Sequence, residues 1–281
     1  MASILHTEAS DVSIDVGLEF VPAAAHFADY KNLNDIFKGG TLVHATIQKP
    51  IEEIVDYIKT GEKVFVVGCN NCAWKCHSGG EDETQNMAKR LEKRGVEVAG
   101  YSTPGPQGMS LCKLDHTRKV LMDDYAEQVK QADSFLVLAC GQGIHTVIDA
   151  TEGGMVHPGC DTTFGGETVS ESQIDEFCSL CGECIVEFTG GLCPLTLCAK
   201  GLLNGACGGA ENGMCEVDAD RECGWVLIYE RLKKLDRLDM MAPYREPKNF
   251  AKWSRPRSLM VSPEEATFCS QDGKRTVSNQ D

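Results

Sequence analysis

No stretch of this 281-residue chain approaches the roughly 20 apolar residues a membrane-spanning helix needs, so no span is expected. The first twenty residues contain no lysine or arginine but four acids, Glu8, Asp11, Asp15 and Glu19. That is the wrong start for a secretory signal, and a cytoplasmic location is expected. Positive charge is scarce throughout, with 27 Lys and Arg against 42 Asp and Glu for a net charge of −15. Nucleic-acid binding rests on cations meeting phosphates, so that class is excluded as a partner. The deficit is uneven: Arg231 to Arg257 hold nine basic residues against three acidic ones, leaving about −21 for the rest. Also missing are a Ser-His-Asp order, a paired-carboxylate motif and a P-loop, so no catalytic residue is nominated.

What the chain has in abundance is cysteine, fifteen residues in all. In a small secreted protein they would read as a disulfide framework. In a long chain without an export signal, clustered in CxxC-type spacings, they read as metal ligands. The odd total leaves at least one bystander thiol.

The expected fold class is α/β: a small parallel sheet flanked by helices, then a cysteine- and glycine-rich metal-binding module, then a C-terminal helix with an extended arm. Pro50 to Lys59 suits a short helix opened by proline. Lys63–Val67, Val96–Ala99 and Phe135–Ala139 are short apolar runs suited to buried parallel strands. Helical periodicity lies between and after them, over Gly80–Arg94, Asp115–Ala132 and from Ile144. Around residue 160 this rhythm stops. Pro194–Leu203 suits a short helix ended by Asn204-Gly205, and Asn212-Gly213 marks a turn. Gly224–Leu238 is the clearest helix, with Trp225, Ile228, Tyr229, Leu232 and Leu235 on one face. The expected division is an N-terminal extension over 1–45, an α/β domain with a first cysteine site over 46–160, an iron–sulfur module and helix over 161–240, and an extended, disordered arm over 241–281.

The first cysteine site is Cys69, Cys72 and Cys76, directly after the first strand. Cys140 follows the third strand and Cys112 follows the second. Ligands in open α/β sheets gather at the carboxyl ends of strands, so all five thiols are expected on one sheet edge. Three close cysteines and a remote one suit a four-iron cluster; Cys140 is the preferred fourth ligand and Cys112 the alternative. Zinc takes four thiolates too, and a redox dithiol is the third option. Gly141-Gln142-Gly143 is a strand-to-helix turn rather than a phosphate cradle. His77 and His145 lie near the same edge as ordinary histidines.

The second site opens with Cys178, Cys181 and Cys184 in CxxCxxC spacing, as in the ferredoxin run that a later Cys-Pro completes. Here Cys193-Pro194 comes after eight intervening residues rather than three, followed by Cys198, Cys207, Cys215 and Cys223. Eight cysteines are the number two [4Fe-4S] clusters require, and a binuclear zinc module is the rival. The segment buries little apolar surface, so metal binding would supply folding free energy. Its many glycines let backbone amides approach thiolate or sulfide. Cys160 has no close sequence partner, and Cys269 lies in the polar end as a non-ligand.

Four segments, GCNNCAWKCHSGGEDE (68–83), LVLACGQG (136–143), CGECIVEFTGGLCPLTLCAKGLLNGACGGAENGMCEVD (181–218) and CGWVLIYERLKKL (223–235), together resemble the C-terminal-domain family of methylenetetrahydrofolate reductase, the MetV-type subunits. The resemblance runs over about residues 50 to 240. It implies an iron–sulfur electron-transfer subunit in one-carbon (acetyl-CoA pathway) metabolism of anaerobes. The implied partner is a MetF-type TIM-barrel flavoprotein that holds FMN or FAD and the folate. Ferredoxin or heterodisulfide-reductase-like subunits are further implied partners. The cysteines named above would carry two [4Fe-4S] clusters in the second module and a third cluster as an option in the first. The alternative is a zinc-binding structural or assembly subunit of the same complex without a redox role. The extension before residue 45 and the basic arm after Leu238 lie outside the matched segments and are candidates for partner docking.

Overall fold

The computed structural model describes residues 42–261, 265–270 and 273–278. Most of the expected N-terminal extension lies outside these residues.

At the centre is a parallel sheet of four strands: β2 (Lys63–Gly68), β3 (Glu97–Ser102), β4 (Ser134–Leu138) and β5 (Val156–Pro158), in the order β3-β2-β4-β5. β2 and β4 are almost wholly buried, which explains why their sequences are apolar without alternation. Successive side chains still go to opposite faces. Phe65 and Val67 pack with Phe135, Val137, Leu121 and Val147 on one face. Val64 and Val66 pack with Leu136, Leu138, Met87 and Leu91 on the other.

Six helices among the described residues flank the sheet. α1 (Ile51–Tyr57) follows Pro50, which sits at the N-cap, and buries Ile51 and Ile54. A single turn, α2 (Cys72–Lys75), follows β2. α3 (Glu81–Lys93) buries Thr84, Met87, Ala88 and Leu91, at the i, i+3, i+4, i+7 spacing of one helix face. Its acidic first turn (Glu81, Asp82, Glu83) and basic last turn (Arg90, Lys93) both complement the helix dipole. The helix expected over Asp115–Ala132 is divided into α4 (Leu114–Lys119), a π turn at Val120–Asp124 and α5 (Ala126–Val129). The Tyr125 amide reaches back five residues to the carbonyl of Val120 at 3.0 Å. That wider turn swings the Tyr125 ring onto Phe65, edge to face at 5.8 Å, which an unbroken helical register would not do. α6 (Gly141–Ala150) runs from β4 toward β5 and buries Gly143, Thr146, Val147 and Ala150.

A second, three-stranded sheet was not legible beforehand. β1 (Leu42–Gln48) pairs antiparallel with the eleven-residue β6 (Cys160–Ser170), and β6 with β7 (Gln173–Asp175). The strand rhythm therefore continues past residue 160 in antiparallel form. Lys49 fastens this second sheet to α1, its ammonium lying 2.7 Å from both Glu53 and Asp161.

Beyond Asp175 regular structure is sparse. α7 (Pro194–Leu197) is one turn, shorter than expected, and β8 (Met214–Cys215) and β9 (Asp218–Glu222) form a small hairpin. The Asn212-Gly213 turn is present, with both residues at positive φ (51° and 85°). α8 (Gly224–Lys234) buries Trp225, Ile228 and Leu232 against Leu192, Leu202 and Met241. Tyr229 and Leu235 share that stripe but stay 41% and 43% exposed, because too little chain packs over the helix to cover them. The polar end pairs as an antiparallel sheet of β10 (Ser258–Val261), β11 (Glu265–Ser270) and β12 (Gly273–Ser278), where the sequence reading has a disordered arm. Its Thr, Val and Phe residues have the β-propensity for that pairing, which a search for helical periodicity passes over.

Candidate functional site

In the parallel sheet the chain passes from β2 outward to β3, then returns across β2 to β4. The order reverses between β2 and β4, so the crevice lies outside their carboxyl ends. Gly68 pairs in register with Leu138, which brings Cys69 and Cys140 to the same edge. Both thiols are buried, whereas Cys72 is partly buried and Cys112 exposed.

The backbone is drawn tightly around this edge. The Cys69 amide donates to the carbonyl of Gly79 at 2.7 Å. A Cβ at Gly79 would stand 2.0 Å from the carbonyl oxygen of Leu138, so only glycine lets the loop after Cys76 rest on the end of β4. The loop carrying Cys112 is tied in by side-chain amides: Asn70 donates to Thr103 Oγ1 at 3.1 Å and Asn71 to Ser110 Oγ at 2.6 Å. Gly108 donates its amide to the carbonyl of Asn70 at 2.7 Å.

The thiols feel one another. Burial pushes the Cys72 thiol up to about 11, with the negative charge of Cys69, Cys140 and Cys112 adding to the rise and the His44 backbone opposing it. Burial likewise raises Cys140, opposed by the backbone amides of Gly143 and Gln142 at the start of α6 and reinforced by Cys69 and Cys112. Cys72 and Cys140 thus resist ionisation beside Cys69 and Cys112 unless a cation joins them. Cys76 lies on the β1 side, its Sγ 3.9 Å from the carbonyl of His44, the residue that also meets Cys72 and Cys140. Its Sγ accepts the Thr46 amide at 3.4 Å on β1, and its charge acts on Cys160. Cys160, partnerless in sequence, is buried with its Sγ 3.5 Å from the carbonyl of Ser78, and burial pushes it up to about 12.

Sequence reasoning missed His44. Its Nδ1 lies 3.7 Å from Cys140 Sγ, carried there by a strand that pairs with residues more than a hundred positions away. His145 and His77 instead face carboxylates, Asp149 at 3.1 Å and Glu83 at 3.9 Å.

The second region holds the eight cysteines from Cys178 to Cys223, all free thiols. Cys193 and Cys198 flank α7, and Cys223 is the N-cap of α8. Cys198 and Cys223 join the small apolar cluster around Trp225, whose indole N–H donates to the carbonyl of Leu202 at 3.0 Å. Cys178, Cys184 and Cys207 are exposed, and Cys181, Cys193 and Cys215 are partly buried. Donors gather on several of these sulfurs. The Leu180 amide reaches Cys178 Sγ at 3.4 Å, made possible by positive φ at Leu180 and Gly182. Burial would raise Cys181, yet the Lys248 ammonium and the Glu183 backbone bring it below the ordinary thiol value. The Gly209 backbone and Lys200 do the same for Cys207.

Lys248 arrives from the basic segment read in sequence as a docking arm. Residues 245–257 fold back instead: the Asn249 amide donates to Glu183 at 2.6 Å and Arg257 to the carbonyl of Leu180 at 2.8 Å.

The donor chemistry of both regions fits a thiophilic metal or an iron–sulfur cluster: sulfur ligands only, with amide or ammonium donors beside several of them. Among the described residues, no three His, Cys, Asp or Glu side chains already stand in metal-binding geometry. Sites of this kind complete themselves as the metal binds, since unmetallated thiolates repel. Apart from this chemistry there is a cavity of about 410 Å³ at the opposite, amino edge of the sheet, lined by Tyr57, Glu62, Asp133 and His157 among others. There the buried His157 imidazole lies 2.7 Å from the partly buried Glu62 carboxylate. No helix among the described residues is long and apolar enough to cross a membrane.

Residues 157–251 match the family described as methylene-tetrahydrofolate reductase C terminal. No curated protein and no solved structure matches the chain significantly.

Proposed function

We propose, for a chain whose residues 157–251 match the methylene-tetrahydrofolate reductase C-terminal family, that it is the iron–sulfur electron-transfer subunit of a methylenetetrahydrofolate reductase complex. The observation that carries this reading is the overlap of that family segment with the eight free cysteines between Cys178 and Cys223. When bound, an iron–sulfur cluster supplies one-electron transfer without chemistry on a substrate.

The chain's own residues have three tasks in this reading. Cys178, Cys181, Cys184, Cys193, Cys198, Cys207, Cys215 and Cys223 present sulfur for two [4Fe-4S] clusters. Lys248 favours the thiolate form of Cys181, Lys200 and the Gly209 backbone that of Cys207, and the Leu180 amide donates to Cys178 Sγ. The cluster of Trp225, Ile228 and Leu232 excludes water beside Cys198 and Cys223. Cys69, Cys72, Cys112 and Cys140 form the first site, with Cys76 beside them on the β1 side. The acceptor is the flavin, FMN or FAD, of a MetF-type partner that also binds the folate. The donor is a low-potential one-electron carrier such as ferredoxin or a heterodisulfide-reductase-like subunit, in the cytoplasm. Zinc is the second reading for the first site, favoured by the gathering there of four thiols, the number zinc takes tetrahedrally.

The test is to mix anaerobically pre-reduced chain with oxidised MetF-type flavoprotein and follow the flavin absorbance. Flavin reduction at a rate that depends on the chain's concentration is expected. A flavin that stays oxidised beside a fully reduced chain, in a complex shown to form, would contradict the relay.

A further inference from the structure

A lysine is almost never buried without a carboxylate to receive it. Lys248 is 7% exposed, yet its ammonium donates to Cys181 Sγ at 2.9 Å. The side chain is delivered there by a backbone pinned on both sides. Upstream, the Asn204 side chain holds the amide and the carbonyl of Arg245 at 2.8 and 2.9 Å. Downstream, the Asn249 amide and the Lys252 ammonium both reach Glu183, at 2.6 and 3.8 Å, and Arg257 reaches the carbonyl of Leu180 at 2.8 Å. Glu183 lies between Cys181 and Cys184, and Leu180 between Cys178 and Cys181. The strap therefore grips the CxxCxxC loop itself, and Lys248 is the member that touches a sulfur.

We propose that Lys248 is a positioning residue that seats a fixed positive charge on the Cys181 ligand and raises the reduction potential of the cluster bound through that sulfur. This rests on the iron–sulfur reading above. Adding an electron to a thiolate-ligated cluster adds negative charge in a partly desolvated site. A cation held at a ligand sulfur stabilises the reduced form more than the oxidised one, and charge and hydrogen bonds at the sulfurs are among the protein's levers on potential. The geometry singles out Cys181 among the second-module cysteines as the one with a buried ammonium in contact.

The experiment uses the full chain, reconstituted without oxygen, as wild type, Lys248→Gln and Lys248→Arg. Iron and sulfide are assayed. The clusters are then titrated with dithionite as one-electron reductant through redox mediators, followed by electron paramagnetic resonance. Lys248→Gln is expected to make reduction of one cluster about tenfold less favourable, a shift of about 59 mV to the negative for a one-electron couple. The other cluster should hold its potential, and Lys248→Arg should stay within about threefold of wild type. If Lys248→Gln fails to load a cluster that Lys248→Arg loads, the charge is needed even to hold Cys181, which also supports the proposal. Equal potentials in wild type and Lys248→Gln, with clusters present in both, would overturn it. So would loss of the cluster in both variants, which would reveal a role of shape rather than charge. Absence of iron from wild type removes the iron–sulfur reading itself, a result distinguishable from every other.

Discussion

The two cysteine regions are built on opposite plans. At the sheet edge, Cys69 and Cys140 are fixed by the ends of two buried parallel strands, and the frame beneath them is a packed core on both faces. From Cys178 to Cys223 the frame is a set of turns, one-turn helices and a two-strand hairpin around a small apolar cluster. In the first region the sheet fixes the backbone that carries Cys69 and Cys140; in the second, little regular structure supports the cysteines. The electrostatics divide the same way. Burial keeps the Cys72 and Cys140 thiols protonated, whereas Lys248 and Lys200 favour thiolate at Cys181 and Cys207. On the proposed reading, a rigid frame would tolerate protonated ligands until a metal arrived, whereas a loose one would gain from sulfurs already paired with cations and amides.

The sharpest way to break this contrast is to remove ligands from each region in turn. Replacing Cys178, Cys181 and Cys184 together by serine should abolish metal at the second site and open residues 176–257 to proteolysis while the parallel sheet remains resistant. Limited proteolysis with mass spectrometry reads this directly. Replacing Cys69 and Cys140 by serine should remove first-site metal and leave the proteolytic pattern unchanged. Unfolding of the sheet in that variant would erase the distinction.

The next largest effect tests the frame without touching a thiol. Gly79→Ala places a Cβ 2.0 Å from the carbonyl oxygen of Leu138. The loop must shift or β4 must move, at a cost of about 3 kcal/mol. A lower thermal midpoint together with weaker first-site metal binding is expected; an unchanged midpoint would mean the edge is softer than its packing implies.

A finer test separates the thiols at the edge. Cys112→Ser should lose first-site metal, while Cys76→Ser should keep it, since the charges of Cys69, Cys140 and Cys112 act on Cys72 and Cys76 is not among them. Retention in the first variant and loss in the second would restore the ligand set that spacing alone suggests.

The smallest effect lies at the far edge. Burial works against the Glu62 carboxylate, but the nearby Ser134, the His157 imidazole and the Lys59 amide hold it down to about 2 from its usual 4.5. A depressed carboxylate stabilises the fold above its unfolded value, and that contribution is lost as pH falls from about 4.5 toward 2. Glu62→Gln should therefore cost on the order of 2 kcal/mol at pH 6 and much less at pH 3. Denaturant midpoints at the two pH values measure the difference, and an equal cost at both would show that the carboxylate charge contributes nothing.

How much of this was legible in the sequence follows the same division. β2 and β4 announce themselves as apolar runs, and with the strand–helix alternation they were enough to expect Cys69 and Cys140 on one edge. β1 and β6 did not announce themselves, because most of their residues are not buried and their pairing joins positions far apart; His44 was hidden with them. The helix at Asp115–Ala132 has the right periodicity but the wrong register, since Tyr125 leaves the spiral to meet Phe65. The basic strap was visible only as charge. That Lys248 turns inward to a sulfur depends on how Asn204 and Glu183 hold its neighbours, which no periodicity encodes.

The most direct test of the central claim is the iron, zinc and sulfide content of the full chain purified without oxygen, with spectra before and after dithionite. The account predicts about eight iron and eight sulfide per chain or more, with visible absorbance that bleaches on reduction. Zinc without sulfide or reducible absorbance would contradict it, leaving a structural subunit and assigning the electron transfer to its partner.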